Sequence, residues 1–468
     1  MNAQSSSILK PRVLMLSLAI AASLAACKKD DAAPAAADPA TQAAPALTLD
    51  ESKLPPFNQF KATDLDASKN ACADFSGHVN GKWLAANAIP GDRTSWGAFE
   101  MLGERSLAVQ QQLVEQAAAM KDAKGVEKIV GDFWATGMDE AKIEAQGIAP
   151  LKSRLDAIDA LADGPAVAEH LRQSFAKGEG AIFGFGPSAD FKDSAMNIAY
   201  VSQAGLGLPD KGYYFDANKK KEREAYELHI AKVLELSGIA AADAAKQAKD
   251  VIAFETRLAK VSKSSEELSR DVSLYYNPVS VADADKKTPN FQWSKFFAAQ
   301  GIAEPKMFSM AIPEFHAEFD RMLADTPVAN WKSYMRFHTV DGASPFLSKA
   351  FVEENFNFYS KALRGQKEMK PRWKRVLGTV EGQTGEALGQ MYVKVAFPAE
   401  SKARMEELVK NLSVALKARI EGLAWMSPDT KKKALEKWAS FTPNIGYPDK
   451  WRDWNGLNTA RNSYIENV

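Results

Sequence analysis

Paired cysteines, paired histidines and an excess of either charge are all missing from this 468-residue chain, and each absence removes a class of function. Two cysteines, Cys27 and Cys72, are too few for a disulfide framework. The five histidines, His78, His170, His229, His316 and His338, include no pair four residues apart, and no H-E-x-x-H occurs. No helix can therefore present the paired imidazoles of a zinc site. The nearest arrangement, His316 with Asp320 at i, i+4, leaves a coordination sphere incomplete and reads as a helix surface. Lysine plus arginine and aspartate plus glutamate both total 59, with no long basic run, which sets nucleic acid aside as a partner. G-x-S-x-G, G-x-x-x-x-G-K-[ST] and G-x-G-x-x-G are absent too; Gly205-Leu206-Gly207 lacks the third glycine and the following helix. Acids such as Asp132, Asp139 and Glu140 recur at helical spacing, as in any helical protein.

What is present begins with an address. Lys10 and Arg12 precede the apolar run Val13 to Ala22, too short to span a membrane and of the length of a secretory signal core. It ends in Leu24-Ala25-Ala26-Cys27, which resembles the lipobox of bacterial lipoproteins. That resemblance implies a signal peptide over 1–26, cleavage before Cys27 and acylation of Cys27, hence a membrane partner reached through a lipid anchor. Lys28 follows where an inner-membrane retention signal would place aspartate, so the expected location is the cell envelope, at the outer membrane facing the periplasm. With Cys27 acylated, Cys72 has no partner in the chain. From 27 to 59 the sequence is rich in Ala and Pro, without sustained periodicity, and reads as a disordered tether reaching about 30 Å.

The remainder, 60–468, has the composition of a folded body, since 46% of the chain is hydrophobic and 10% aromatic. Apolar periodicity near 3.6 predicts a long helix from about Trp96 to Met120, then helices over Val126–Met138, Glu222–Leu236, Ala244–Ala259, Pro313–Leu323, Trp331–Phe337 and Ser344–Leu363. In Lys402–Trp425, Met405, Leu408, Val409, Leu412, Leu416, Ile420 and Leu423 form one stripe. Ser427-Pro428 supplies an N-cap and first-turn proline for the next helix. Ala181–Gly186 and Asn197–Ser202 read as two short strands able to pair. They lead into QAGLGLPDKGYYF, where three glycines and a proline specify the backbone and three aromatics anchor it, a packed corner without chemistry. No closing element is evident before Val468. The fold class is mainly α, with a few short strands.

Several blocks carry a further resemblance. DFSGHVNGKWLAANAIPGDRTSWGAFEML, IVGDFWATGMD, QAGLGLPDKGYYF, FETRLA, RDVSLYYNP, LRGQKEMKPRWKR, EALGQMYV and IGYPDKWRDW resemble, in order, blocks of the neprilysin-type zinc metallopeptidases, in the bacterial oligopeptidase and endothelin-converting-enzyme-like branch. Ser76 departs from the pattern, standing where the family usually has an aromatic. The resemblance implies a two-lobed enzyme of peptide substrates, with a thermolysin-like lobe bearing zinc on H-E-x-x-H and a helical lobe roofing the cavity. The blocks here are those that precede the catalytic motif. The chain is accordingly expected to be the N-terminal, cavity-forming portion, a truncated member or a fragment, with the thermolysin-like lobe largely absent. Zinc is implied for the full-length member and none is expected on this chain; no catalytic or metal residue is assigned. Segments near 64–102 and 397–468 are expected to expose apolar faces that the absent lobe would cover. Glu100 matches the family's acidic substrate-contacting position, while the arginine position holds Ser95, with Arg93 two residues earlier. Glu100 also reads as a carboxylate favoured by a helix start.

Overall fold

The computed structural model describes residues 46–56, 59–180, 182–303 and 305–468. Cys27 and the signal segment lie outside them. In chain order, the helices that build the core and the site are α1 (Phe75–Ala86), α2 (Ala98–Ala119), α3 (Gly125–Met138), α4 (Gly164–Ala176), α5 (Lys220–Leu236), α6 (Ala241–Val261), α7 (Trp293–Ala299), α8 (Pro313–Asp325), α9 (Val328–Ala343), α10 (Lys349–Asn355), α11 (Arg372–Ala396), α12 (Ala399–Gly422) and α13 (Pro428–Ala439). Local chemistry starts several of them. Asp74, Asp163 and Ser427 accept hydrogen bonds from the backbone N–H of Gly77, Ala166 and Thr430, satisfying donors that no helical carbonyl reaches. The helix expected over 344–363 is broken instead: α10 ends at Asn355 and a π-helical turn runs Phe356–Ala362.

Two apolar cores result. The larger is built from α4 to α10 and a small sheet, and its centre is aromatic. Phe183 meets Trp293 and Phe296 edge to face at centroid distances of 5.2 and 5.5 Å. The sheet has β1 (Phe183–Ala189), β2 (Asn197–Gln203), β3 (Pro278–Val279) and β4 (Phe308–Met310) in the order β1-β2-β4-β3. The β1–β2 hairpin is the expected one, with Phe185 opposite Val201; β4 adds parallel to β2, with Tyr200 opposite Ser309. β3 and β4 are too short to carry an alternation of their own and are recruited by tertiary contact. The smaller core joins α2, α3 and α11 through side chains such as Leu113, Val130, Phe133, Leu377 and Met391.

Three expectations are corrected here. His316 is not on a helix surface: it is fully buried beside Trp293, and burial pushes its pKa down to about 3, which keeps the ring neutral. Asp320 is buried with it and accepts from the backbone N–H of Asn290 and Phe291, both at 2.8 Å. The tether stops short of 59. Leu47, Leu49 and Leu54 pack on the smaller core, while the backbone N–H groups of Thr48 and Asp50 donate to Gln116 at 3.0 Å and Gln112 at 2.8 Å. Finally, residues 459–468, where no element was expected, pack against the smaller core. Tyr464 enters the smaller core, and Thr459 Oγ1 and Arg461 Nε donate to Asp132 of α3 at 2.8 and 3.0 Å.

The glycine-rich corner is organised by a residue outside it. Glu255 of α6 has no exposed surface, and its carboxylate accepts from Tyr214 Oη at 2.5 Å, His338 Nε2 at 2.8 Å, Tyr226 Oη at 2.9 Å and the Gly207 N–H at 3.2 Å. A buried carboxylate left without such donors would cost several kcal/mol, on the order of the desolvation penalty of one ion. Burial, then the Glu255 charge, pushes the Tyr214 hydroxyl pKa well up, so it stays a donor. Gly205 adopts φ of 84°, and a Cβ on Gly207 would stand 1.7 Å from the Tyr226 hydroxyl. No larger residue fits there without moving Tyr226.

Candidate functional site

Along α2 and α11 a groove opens on the smaller core. Its charged end is a cavity of about 450 Å³ bordered by Arg93, Glu100, Gln110, Lys374 and Glu381. Its aromatic end, about 430 Å³, shares Ser106, Gln110 and Glu381 and continues to Tyr392, Phe397, Tyr447 and Trp451. The floor is helix backbone, because Gly378, Gly385 and Gly389 of α11 fall on the groove side. A Cβ on Gly378 or Gly385 would meet nothing within 4 Å, so these glycines leave space rather than relieve a clash. Near the middle α11 kinks at Thr384, whose φ of −132° leaves the helical range; its hydroxyl donates to the Val380 carbonyl at 2.9 Å.

Glu100 has a helix-start position and a cavity-wall position together: it sits in the first turn of α2 and borders the charged cavity. Ser95 Oγ donates to it at 2.8 Å; that bond, together with first-turn backbone N–H groups, holds its carboxyl below the usual range, so it is ionised at neutral pH. Arg93 is not available to it in the same way, since its guanidinium pairs with Glu104, which also takes Lys374 at 2.9 Å. Phe99 stands at the rim, 87% exposed. Lys374, Glu381 and the α11 glycines escaped the sequence reading. The glycine spacing of four, three and four through Gly378, Gly382, Gly385 and Gly389 keeps them on one helical face and is the signal that could have found the groove.

Around the groove, apolar faces stand open. No side chain of α1, α12 or α13 is buried. Leu412 is 60% exposed, Trp425 77% and Phe441 78%, and Met405, Leu408 and Leu416 of the α12 stripe are exposed as well. Monomeric soluble proteins rarely leave contiguous apolar surface of this kind uncovered. Cys72 is exposed.

The comparisons with known proteins bear directly on this arrangement. A sequence profile described as Peptidase family M13 matches residues 71–448. The chain belongs to peptidase family M13. Rat endothelin-converting enzyme 1 is 28% identical over 418 residues, covering 86% of this chain and 54% of that protein. Human endothelin-converting enzyme-like 1 is 27% identical over 410 residues, covering 84% and 52%. The M13 chain thus spans about half the length of these curated relatives. Among solved structures, a Mycobacterium tuberculosis zinc metalloprotease Zmp1 in complex with an inhibitor superposes with a TM-score of 0.81 at 33% identity, covering 91% of this chain and 63% of that one. PepO from Lactobacillus rhamnosis superposes with a TM-score of 0.77 at 23% identity, covering 85% and 64%, and supports the fold.

Zinc is implied for full-length M13 members, and the described residues do not fit it. Among the described residues no group of three or more His, Cys, Asp or Glu side chains could hold a metal ion. His229 and His338 sit among carboxylates, but in buried hydrogen-bonded clusters of the larger core. The M13 groove joins a charged cavity bordered by Glu100 and Lys374 to an aromatic one bordered by Tyr447 and Trp451. Among the described residues no helix is long and apolar enough to cross a membrane.

Proposed function

We propose that this chain is the N-terminal, substrate-cavity-forming portion of an exported zinc metalloendopeptidase of family M13 that acts on short peptides, and that it is inactive by itself. The single observation that carries the reading is the groove of α2 and α11 set among uncovered apolar faces on α1, α12 and α13. A catalytic lobe bearing H-E-x-x-H would cover those faces and close the groove into a chamber. Glu100 and its charged surroundings would meet polar groups of the peptide, and the Tyr447 and Trp451 end its apolar side chains. Cys27 would carry the lipid anchor that holds the protein in the cell envelope, at the outer membrane facing the periplasm.

The test uses quenched fluorogenic peptides with zinc present. The chain alone should give no cleavage. Addition of a separately produced M13 lobe containing H-E-x-x-H should give chelator-sensitive cleavage. Chelator-sensitive cleavage by the chain alone would sink the proposal. The groove is lined along both ends by this chain's own side chains, which favours a second reading, a non-catalytic lipid-anchored peptide- or protein-binding lipoprotein. Tight zinc-independent peptide binding, with no cleavage after the H-E-x-x-H lobe is supplied, would select it.

A further inference from the structure

Next to the charged end of the groove, at the N-terminal turns of α11, lies a cavity of about 350 Å³ with a different character. Arg364, Lys370, Arg372 and Arg375 border it, and no aspartate or glutamate does. Lys374, which borders it too, is neutralised by Glu104 at 2.9 Å and Asp92 at 3.5 Å. The four others lack such partners. Arg372 has only the outlying Glu140 at 3.8 Å, and no ion pair forms on Arg364, Lys370 or Arg375 among the described residues. Arg375 Nε donates to the Lys370 carbonyl at 3.2 Å and Arg372 Nε to the Gly137 carbonyl at 2.8 Å, which aims both guanidinium groups without cancelling their charge.

Clustered cations of this kind repel one another. Burial, followed by the Arg372 charge, pulls the Arg375 pKa below its ordinary value, a sign of a guanidinium held against its preference for water or an anion. Arginine nonetheless stays charged in proteins. We propose that this cavity is a binding site for a small multiply charged oxyanion of the phosphate or phosphomonoester class. Guanidinium forks match such oxygens with paired N–H donors, and the Thr379 hydroxyl, on the same wall, donates to the Arg375 carbonyl at 3.3 Å. One carboxylate would leave most of the positive charge uncompensated. The site shares Lys370, Lys374 and Gly378 with the charged end of the groove, whereas Arg364, Arg372, Arg375, Thr379 and Tyr464 border this cavity and not that one.

Titration calorimetry of the full chain with inorganic phosphate, against sodium chloride at matched ionic strength, tests it. Saturable one-site binding is expected. Arg375→Gln and Arg364→Gln should each weaken it about tenfold or more, the scale of a hydrogen bond to a charged group. Lys367→Gln, at an exposed lysine outside the cavity, should leave it unchanged. Arg364 is exposed and its side chain makes no hydrogen bond among the described residues, so its variant reports on binding even if Arg375→Gln folds poorly. Absence of saturable binding, equal binding by all three variants, or acetate binding as tightly as phosphate would overturn the proposal. Phosphatidylglycerol vesicles supply the last arm: capture that inorganic phosphate displaces supports the site, and capture that it fails to displace overturns it in favour of a lipid headgroup.

Discussion

Both ring nitrogens of His229 face carboxylates, Nδ1 at 2.9 Å from Glu354 and Nε2 at 3.0 Å from Asp341, and only the doubly protonated ring donates to both. Burial by itself would lower the imidazole pKa, but the hydrogen bonds and charges of Asp341 and Glu354 outweigh it and the net shift is upward. A folded-state pKa above the unfolded value of about 6.5 has a definite sign: the stabilisation is fully present below that value and is lost as pH rises through the folded pKa. The urea midpoint of the wild type should therefore fall as pH rises above about 6.5, and His229→Gln should remove that part of the pH dependence. Parallel stability curves for the two proteins would contradict the charged assignment. The sequence shows this histidine and both acids plainly. Their separations of 112 and 125 residues carry no periodic signal, so the cluster was illegible there. Glu255 is the same case. The glycine-rich stretch looked complete in itself, whereas its backbone is pinned by a carboxylate 48 residues beyond Gly207.

At the scale of elements, α2 and α12 are instructive because the same rule describes both. Each is a long helix with apolar positions at helical spacing, and each forms where the periodicity places it. In α2 the stripe is buried: Leu113 has no exposed surface and sits in the smaller core. The α12 stripe is open. Leu113→Ala should cost about 2–5 kcal/mol in chemical denaturation, the usual range for a buried leucine. Leu412→Asp should change stability by no more than about 0.5 kcal/mol while reducing the binding of an apolar dye. A large loss of stability for Leu412→Asp would mean that α12 is packed after all. Period specifies which face is apolar and is silent about what covers it. For α11 the legible signal was glycine spacing, and its consequence, a backbone-floored groove, needed α2 and the Tyr447–Trp451 segment alongside.

For the whole molecule, the body begins before the compositional boundary. A chain starting at residue 46 should unfold at a higher denaturant midpoint than one starting at residue 60, with a difference of about 2 kcal/mol from the contacts of Leu47, Leu49 and Leu54. Equal midpoints would show that those leucines contribute nothing. Membership of family M13 was legible in blocks spread from Asp74 to Trp454, and the profile over 71–448 bears it out. By itself the sequence determined the mainly helical class, the positions of the long helices, the β1–β2 hairpin and the absence of H-E-x-x-H, because each depends on neighbours within a few residues. Only the tertiary structure decided that residues 46–54 and 459–468 belong to the body and that His316 is core. It likewise decided that the faces of α1, α12 and α13 are uncovered and that Arg364, Arg372 and Arg375 share a cavity without acids. The reason is physical: helix period is set by local backbone geometry, whereas burial and charge pairing are set by contacts between residues a hundred or more positions apart.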